Sequence, residues 1–550
     1  MNRWILLFHT IRYLKAKQLA YQVYYRFRKP RLRNISRPVL RDALKGWYWP
    51  TFLEPATNDG RTFTFLGRTA RLAESWNDPS LPKLWLYNLH YQDDLNAKGA
   101  ESRFELCAQM VDAWIKGNPP LQGNGWEPYC LSLRIVNWVK WLSRVESDQV
   151  KPEWTRSLAQ QADALEQQLE FHILANHVFA NAKALIFVGV YLGSEQGDRH
   201  LKRGLKLLDQ QLPEQFLADG GHFERSPMYQ GTLLWDLADL AALSRSVQLK
   251  EVNQRAGDWE RCFVSGVGWL ETMTHPDGDI SFFNDATFGI SPGIEELKRF
   301  AHTLGLAVTQ VEQPAKLQGE VLHSSGYGVV DWPKRHRLLV DLAPVGPDYQ
   351  PGHAHADTLS CELSLFGQRV LVNSGISQYG DDAERHRQRS TAAHNTVELD
   401  GENSTEVWAG FRVARRAEPF NVAMQQDEHQ LVIQGSHNGY RRLPGKIVHR
   451  RRWLARNISL EVVDELEGRF QKAVCHWHFH PDIAVERDGE SRFKVRLPSG
   501  QVVLIEVSGG SAYLAKSSWH PGFGISIDNQ KLIIVFSDRK VTTRVCWSSD

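Results

Sequence analysis

The chain has 550 residues, more than one ordinary domain needs, and fits two to four domains. Its 65 Lys and Arg residues nearly balance 63 Asp and Glu residues, which argues against nucleic-acid binding driven by overall charge. An anionic partner therefore has to be bound at a local basic site. The six cysteines are scattered without a CxxC pair, which argues against a zinc ribbon or a disulfide scaffold.

The first 33 residues are basic, with nine Lys or Arg residues and no acidic residue. The apolar run from Trp4 to Phe8 is too short for a secretory signal, and no segment approaches the roughly 20 apolar residues of a membrane span. We therefore expect no cleavable signal peptide and a cytoplasmic location, with a periplasmic one left open. For residues 1–33, a basic helix packed on the main body is favoured over an amphipathic helix that contacts a membrane surface. A basic helical and extended segment is predicted over residues 1–75.

A helical pattern extends over residues 76–312. Apolar residues recur at helical spacing before residue 143, and long apolar segments at 171–193 and 232–245 predict two further helices. Loops rich in Gly, Pro and Asn separate these segments. Several long helices in series, without a fixed repeat, predict paired helices that curl into a toroid or a solenoid.

After about residue 318 the hydrophobic period becomes two. Apolar residues alternate with polar ones over 358–365, and residues 493–507 form two strand-like runs broken by a Pro-Ser-Gly turn, which predicts a hairpin. Many short strands without intervening helices indicate an antiparallel β-sandwich over residues 318–550, after a linker at 311–320. The predicted fold class is therefore multidomain α+β, a helical toroid followed by a sandwich.

Polar side chains interrupt the apolar helix predicted at 171–193. His177 and Asn181 are four residues apart and share one face, whereas Asn176 and Lys183 are seven apart and share another. Buried polar groups cost free energy unless they have partners. This set is therefore either a structural network or part of a site.

A second cluster lies in GGHFERSPMYQ, residues 220–230. Ser226 and Pro227 fit a helix cap followed by a first-turn proline. This arrangement places Glu224 and Tyr229 near a helix N-terminus.

A third cluster, GHAHADTLS, lies at the entrance to a predicted strand. His353 and His355 straddle one residue there and can point to the same side. Asn373 and His394 follow further along the chain. His-x-His with a distant histidine and an Asn or Asp oxygen fits a tetrahedral metal set.

Five motifs follow one another between about residues 80 and 420: LANHVFANAKAL, DGGHFERSPMY, FFNDATFGISP, HAHADTLSCELSLFGQRVLVNSG and RSTAAHNTV. Together with GWEPYCLSLRIVNWVKW they resemble the heparinase II/III-like polysaccharide lyases, and more narrowly the branch often encoded beside bacterial exopolysaccharide genes. The resemblance implies an incomplete α/α toroid followed by antiparallel sheets. It also implies an enzyme, a polysaccharide lyase that cleaves an acidic, uronic-acid-containing polysaccharide by β-elimination.

The resemblance also implies roles for single residues. Asn176 and His177 correspond to the residues that neutralise the uronate carboxylate. Tyr229 corresponds to the general acid, which for some substrates is also the base, and His353 to the other candidate base. We expect further contacts with the substrate from Trp126, Arg134, Lys183, Glu224, Tyr379 and Arg389.

A structural zinc is implied in the sheet domain, with His355 and His394 as two of its ligands. Asn373 stands where the third ligand, commonly an aspartate, is expected. A neutral amide oxygen is a poorer ligand for Zn²⁺ than a carboxylate. The sequence thus leaves open whether zinc is bound weakly, is not bound, or is held with help from Asp357.

Two other functions remain open. A glycoside hydrolase on a similar toroid needs two carboxylates across the scissile bond, and Glu127, Glu224 and Asp285 are available. The second is a non-catalytic polysaccharide-binding or exopolysaccharide biosynthesis factor. Asn373 favours that alternative mildly, whereas the complete set of lyase residues argues against it.

Overall fold

The computed structural model describes residues 3–33, 38–41, 44, 49–72, 75–308 and 313–548. Its helices are α1 (Arg3–Ile11), α2 (Ala16–Phe27), α3 (Lys83–Tyr91), α4 (Phe104–Gly117), α5 (Pro128–Leu142), α6 (Pro152–Gln167), α7 (Ala175–Tyr191), α8 (Glu195–Gln215), α9 (Pro227–Ser246), α10 (Lys250–Asn253), α11 (Ala256–Thr272), α12 (Ile294–Thr303) and α13 (Ala383–Gln388).

The strands are β1 (Thr62–Phe65), β2 (Arg68–Arg71), β3 (Gln318–Leu322), β4 (Tyr327–Trp332), β5 (His336–Asp341), β6 (Cys361–Leu365), β7 (Gln368–Leu371), β8 (Val397–Leu399), β9 (Val407–Trp408), β10 (Arg412–Val413), β11 (Pro419–Gln426), β12 (Gln430–His437), β13 (Val448–Arg456), β14 (Ser459–Glu467), β15 (Ala473–His478), β16 (Ala484–Arg487), β17 (Arg492–Arg496), β18 (Val502–Ser508), β19 (Gly510–Trp519), β20 (Ile527–Phe536) and β21 (Lys540–Trp547).

The helical half forms the predicted incomplete toroid. Helix α7 is buried on nearly all sides because α5, α6, α8 and α9 surround it. This position explains why its sequence is apolar around the whole circumference. Helices α5, α7 and α9 also line a cavity of about 160 Å³, which Lys183 and Asp239 border. The helices predicted from periodicity are therefore confirmed.

Helix α9 begins as its sequence predicts. The hydroxyl of Ser226 accepts a hydrogen bond from the backbone N–H of Tyr229 at 3.2 Å, and Pro227 occupies the first turn. A capping oxygen satisfies one of the N–H groups that a helix N-terminus leaves without a partner. The start of α9, and with it the position of Tyr229, is thereby fixed.

The C-terminal half is an antiparallel sandwich, as predicted. An eight-stranded sheet has the order β11-β12-β13-β14-β21-β18-β17-β16, a five-stranded sheet runs from β3 to β7, and a four-stranded sheet has the order β19-β20-β15-β8. Side chains such as Trp453, Leu363 and Leu532, one from each sheet, belong to one buried core. The predicted hairpin is β17–β18. Strand β3 begins inside the predicted linker, of which residues 311 and 312 lie outside the described residues.

Strand β6 is buried on both faces, which its alternating sequence does not suggest. Its apolar residues face the sandwich core, and its polar residues face the helical half. There Glu362 lies 2.8 Å from Nε2 of His275, and the hydroxyl of Ser364 lies 2.7 Å from Nδ1 of the same histidine. The polar face of the strand therefore forms the junction between the two halves.

Helices α1 and α2 lie on the outside of the protein. Gln18 of α2 donates hydrogen bonds to the carbonyls of Ile173 and Tyr349, both at 3.1 Å, and so attaches the helix to the body. Across the described ranges, no helix combines the length and apolar character needed to cross a bilayer.

Candidate active site

Several side chains of the candidate site lie where three helices begin. Tyr129 lies in the first turn of α5, Asn176 and His177 in that of α7, and Tyr229 in that of α9. The rings of Tyr129 and His177 are 4.7 Å apart, and those of Tyr229 and His353 are stacked at 3.9 Å. Helix N-termini carry partial positive charge, so this region favours an anionic group.

The backbone around these residues is strained. Leu174 and Ala175, directly before Asn176, have φ values of 71° and 53°, and Arg225 and Asn284 have φ values of 57° and 58°. Such conformations cost roughly 1–3 kcal/mol each in residues other than glycine and tend to occur at functional sites. The segments that lead into Asn176 and Tyr229 are thus held away from their relaxed conformations.

His177 is paired with a buried carboxylate. Its Nδ1 lies 2.8 Å from Oε1 of Glu170, whose other oxygen accepts a hydrogen bond from the amide of Asn181 at 3.0 Å. Burial favours the neutral imidazole, but the charge of Glu170 outweighs it and raises the pKa of His177 above its ordinary value. His177 is therefore suited to carry a positive charge next to Asn176.

Asp285 connects the helical half to the sheet half. One of its oxygens lies 2.9 Å from Nδ1 of His353, the other lies 2.8 Å from Nε2 of His355, and Arg385 forms an ion pair with both. Burial opposes ionisation of Asp285, but Arg385 and the two histidines hold its pKa well below its usual range. An ionised Asp285 accepts a hydrogen bond from the Nδ1–H of His353. The proton then lies on Nδ1, so Nε2 of His353 keeps its lone pair.

Tyr229 is a protonated phenol in this environment. Its hydroxyl lies 3.1 Å from the hydroxyl of Tyr379. Burial, with the nearby Tyr379 and Asp285, raises the pKa of Tyr229 well above its ordinary value. The side chain therefore favours the donor form, with the hydroxyl of Tyr379 beside it.

Glu224 is a buried carboxylate next to the same groups. One oxygen lies 3.6 Å from Nε2 of His353, and within the described structure neither oxygen makes a hydrogen bond of good geometry. Burial raises the pKa of Glu224, against the opposing influence of His353, His177 and the N–H of Asn176. Glu224 thus lies between the acid–base residues and the carboxylate-binding residues.

Of the residues implied for zinc, His355 and His394 lie together, but the oxygen of Asn373 is already engaged. Nδ1 of His355 lies 3.1 Å from Nε2 of His394, and burial lowers the pKa of both, so both imidazoles are neutral as ligation requires. The side-chain oxygen of Asn373, however, accepts a hydrogen bond from a backbone N–H at 3.3 Å. Asp357 accepts one from Asn284 at 3.1 Å, and burial raises its pKa.

In the part of the chain that the structure describes, no cluster of three or more His, Cys, Asp or Glu side chains could hold a metal ion. Structural zinc sites almost always use four ligands, commonly cysteine and histidine. Two imidazoles and one engaged amide do not fit that pattern. The zinc therefore remains a prediction.

Two residues predicted to bind the substrate lie inside the helical half. Trp126 is buried, and its indole N–H donates to a backbone carbonyl at 3.3 Å. Arg134 is fully buried, lies over the ring of Trp114 at 3.8 Å, and donates to the carbonyls of His90 and Gly125. Their satisfied donors argue against the direct substrate contacts that the sequence predicted.

Lys183 and Arg389 also have internal partners. Lys183 binds Asp236 at 2.5 Å and Asp239 at 2.6 Å, and Asp239 also binds Lys140. Arg389 is buried and donates to the carbonyl of Ala354, between the two histidines of the third motif. Lys183 therefore belongs to a charge network in the toroid cavity, and Arg389 positions the histidine loop.

Sequence reasoning missed three residues of the site, Tyr129, Glu170 and Arg385. No local sequence pattern identifies Glu170 or Arg385 as a site residue. Arg385 pairs with Asp285, which is distant in the sequence, and the contact of Glu170 with His177 is set by the fold. Asp285 was considered only as a hydrolase carboxylate, although it lies inside the quoted motif FFNDATFGISP.

The chain matches the family "Heparinase II/III N-terminus" over residues 96–299 and the family "Heparinase II/III-like, C-terminal" over residues 315–548. It is 24% identical over 452 residues to FtsZ-localized protein C of Caulobacter vibrioides, covering 74% of this chain and 71% of that protein. It is 22% identical over 348 residues to a heparin-sulfate lyase of Bacteroides thetaiotaomicron, covering 56% of this chain and 49% of the lyase, about half its length. A crystal structure of heparinase III superposes with a TM-score of 0.69 at 16% identity, covering 96% of this chain and 89% of that one.

Proposed function

This chain belongs to the heparinase II/III-like family, and we propose that it cleaves a uronic-acid-containing polysaccharide by β-elimination. The observation that carries the proposal is that the buried Glu224 lies beside His353 on one side and His177 and the N–H of Asn176 on the other, while His353 stacks on Tyr229. These groups supply the two functions that the reaction needs, namely charge neutralisation and proton transfer.

The first function concerns the carboxylate of the uronic acid. Its C5–H bond is weakly acidic because the neighbouring carboxylate is already charged, and enolate formation adds a second charge to that group. Donors fixed around the carboxylate stabilise this dianion as an oxyanion hole does, and one preorganised donor contributes about 3 kcal/mol. The cation of His177 and the side-chain N–H groups of Asn176 fit this role.

The second function is the proton transfer. In our proposal, Nε2 of His353 takes the proton from C5, because its Nδ1 is committed to Asp285. The C4–C5 double bond forms as the bond from C4 to the linking oxygen breaks. Tyr229, held as a phenol, donates its proton to the leaving oxygen.

The carboxylates available to a glycoside hydrolase are arranged unfavourably. Asp285 is bound by Arg385 and both histidines, so it is not free to act as nucleophile or base. Glu127 is bound by Lys83 at 3.0 Å and by Tyr87. Of the three candidates, Glu224 alone remains, and this chemistry needs two.

The test is an ultraviolet absorbance assay for the C4–C5 double bond, with polymers that contain glucuronate, mannuronate or galacturonate. We expect absorbance to rise with at least one polymer and Tyr229→Phe to abolish the rise. Tyr513→Phe, at an exposed tyrosine of β19, is the matched control and should retain full activity. Wild-type rates in Tyr229→Phe would remove that residue from the mechanism.

A second candidate is polysaccharide binding without cleavage. One relative is named for its localisation and not for catalysis, which favours this alternative. Binding of a uronate polymer by the wild type, without absorbance change for any of the three polymer classes, would support it over the lyase.

A further inference from the structure

The first two helices expose a concentration of large apolar side chains. Of the sixteen large hydrophobic residues exposed in the described part of the chain, eight lie between residues 4 and 27. Trp4, Phe8 and Phe27 are 78%, 65% and 85% exposed. Single exposed apolar residues are ordinary on a protein surface, whereas a dense group of them marks a site of interaction.

Helix α2 is docked with its apolar stripe outward. Its inner side is attached by Gln18, by Tyr21 packed on Phe171, and by Tyr25, whose hydroxyl donates to the carbonyl of Leu169. Leu19, Val23 and Phe27 follow one another at intervals of four, which places them along another face, and all three are exposed. This orientation is the reverse of the usual one for a surface helix.

Helix α1 repeats the arrangement. Its Thr10 hydroxyl donates to the carbonyl of Val413 at 3.1 Å and accepts from the indole of Trp408 at 3.1 Å, which fixes one side of the helix. Trp4, Phe8 and Ile11, at positions i, i+4 and i+7, share an exposed face. Polar contacts on the docked sides thus hold the apolar sides of both helices outward.

The surroundings of these faces are strongly basic. Residues 1–33 contain nine Lys or Arg residues and no carboxylate side chain. Among the described residues, two of the nine, Lys15 and Arg33, lie within ion-pair distance of a carboxylate. Aromatic and aliphatic residues beside uncompensated cations match the interface of a bilayer that contains anionic lipids.

We propose that α1 and α2 bind the surface of an anionic lipid bilayer through the apolar face formed by Trp4, Phe8, Ile11, Leu19, Val23 and Phe27. The helices lie in the interface without crossing it, and the basic residues contact lipid headgroups. This binding brings the toroid and sandwich to a membrane surface, and it does not depend on the proposed chemistry.

The experiment is sedimentation of the full-length protein with vesicles of phosphatidylcholine, with and without phosphatidylglycerol. We expect binding that requires phosphatidylglycerol and weakens with added salt. The variant Trp4→Ser/Phe8→Ser/Phe27→Ser should bind at least about tenfold more weakly. The matched control is Ile458→Ser/Tyr513→Ser/Ile525→Ser, at exposed residues of the sandwich, which should bind as the wild type does.

Sedimentation velocity without vesicles tests the competing occupant, a second copy of the chain. If the wild type dimerises through this face and does not bind vesicles, the membrane proposal is overturned. Equal vesicle binding by the wild type and the α1–α2 variant would also overturn it. Because no polysaccharide is present, neither result affects the proposed lyase activity.

Discussion

Glu170 should set the pH at which His177 loses its positive charge. Its carboxylate lies 2.8 Å from Nδ1 of the imidazole and raises the pKa of His177 against the effect of burial. Glu170→Gln keeps the size of the side chain and removes its charge. We expect the pKa of His177 to fall, so that the cation proposed to neutralise the uronate is lost at lower pH.

The contact is strong enough for its loss to be measurable. A hydrogen bond to a charged group contributes about 1.5–3 kcal/mol, so removing the charge of Glu170 should lower the pKa of His177 clearly. The raised pKa of His177 also determines how the stability of the fold changes with pH. A raised pKa stabilises the folded wild type below the pKa of the unfolded chain, and this stabilisation is lost as pH rises through the folded pKa.

The assay measures kcat/KM against pH by absorbance of the unsaturated product, for the wild type and Glu170→Gln. The alkaline limb of the profile should move to lower pH in the variant. Titration of the His177 ring by nuclear magnetic resonance gives the same pKa without a substrate. Glu166→Gln is the matched control, because Glu166 is also a partly buried carboxylate but binds Arg199.

An unchanged alkaline limb, together with an unchanged titration of His177, would refute the reasoning. A lowered pKa with an unchanged limb would instead show that His177 titrates as described but does not bind the uronate. The two measurements therefore separate the electrostatics of the pair from its role in catalysis.

Three further predictions concern the metal, the cavity and the strained backbone. Metal analysis of the purified wild type should find no stoichiometric zinc, whereas Asn373→Asp should bind it. A full equivalent of zinc in the wild type would show that His355, His394 and the Asn373 amide do form a metal site. Lys140→Met should destabilise the fold by about 3 kcal/mol in urea denaturation because Asp239 loses one buried partner, and the added change Asp239→Leu should recover part of the loss. Additive losses would argue against that coupling. Ala175→Gly should stabilise the fold by about 1 kcal/mol by relieving its φ of 53°, and a lower melting temperature would show that the strain is not stored there.

The helices and strands could be predicted because their periodicity reflects burial. The apolar sequence of α7 and the cap of α9 are local signals, and the structure confirms both. In strand β6 the period was correct, but the polar face is covered by the helical half. The periodicity of a single strand does not show whether another domain covers its polar face.

The site was predictable where residues are close in sequence and less so where the fold joins distant segments. His353 and His355 were expected to point the same way, and both contact Asp285. Arg134 was expected to meet the substrate because it is a cation near the motifs. Its burial depends on the packing of α5 against loops that sequence patterns do not position.

The ion pairs of Asp285 mean that neither half of this protein can be exchanged independently of the other. The helical half contributes this carboxylate, while the sheet half contributes the imidazoles and the guanidinium that it binds. A chimera that exchanges one half for that of a relative would have to transplant these contacts as a set. Recombination within the family is thus constrained by the contacts of Asp285 with His353, His355 and Arg385, whereas the outer surfaces are not bound by them.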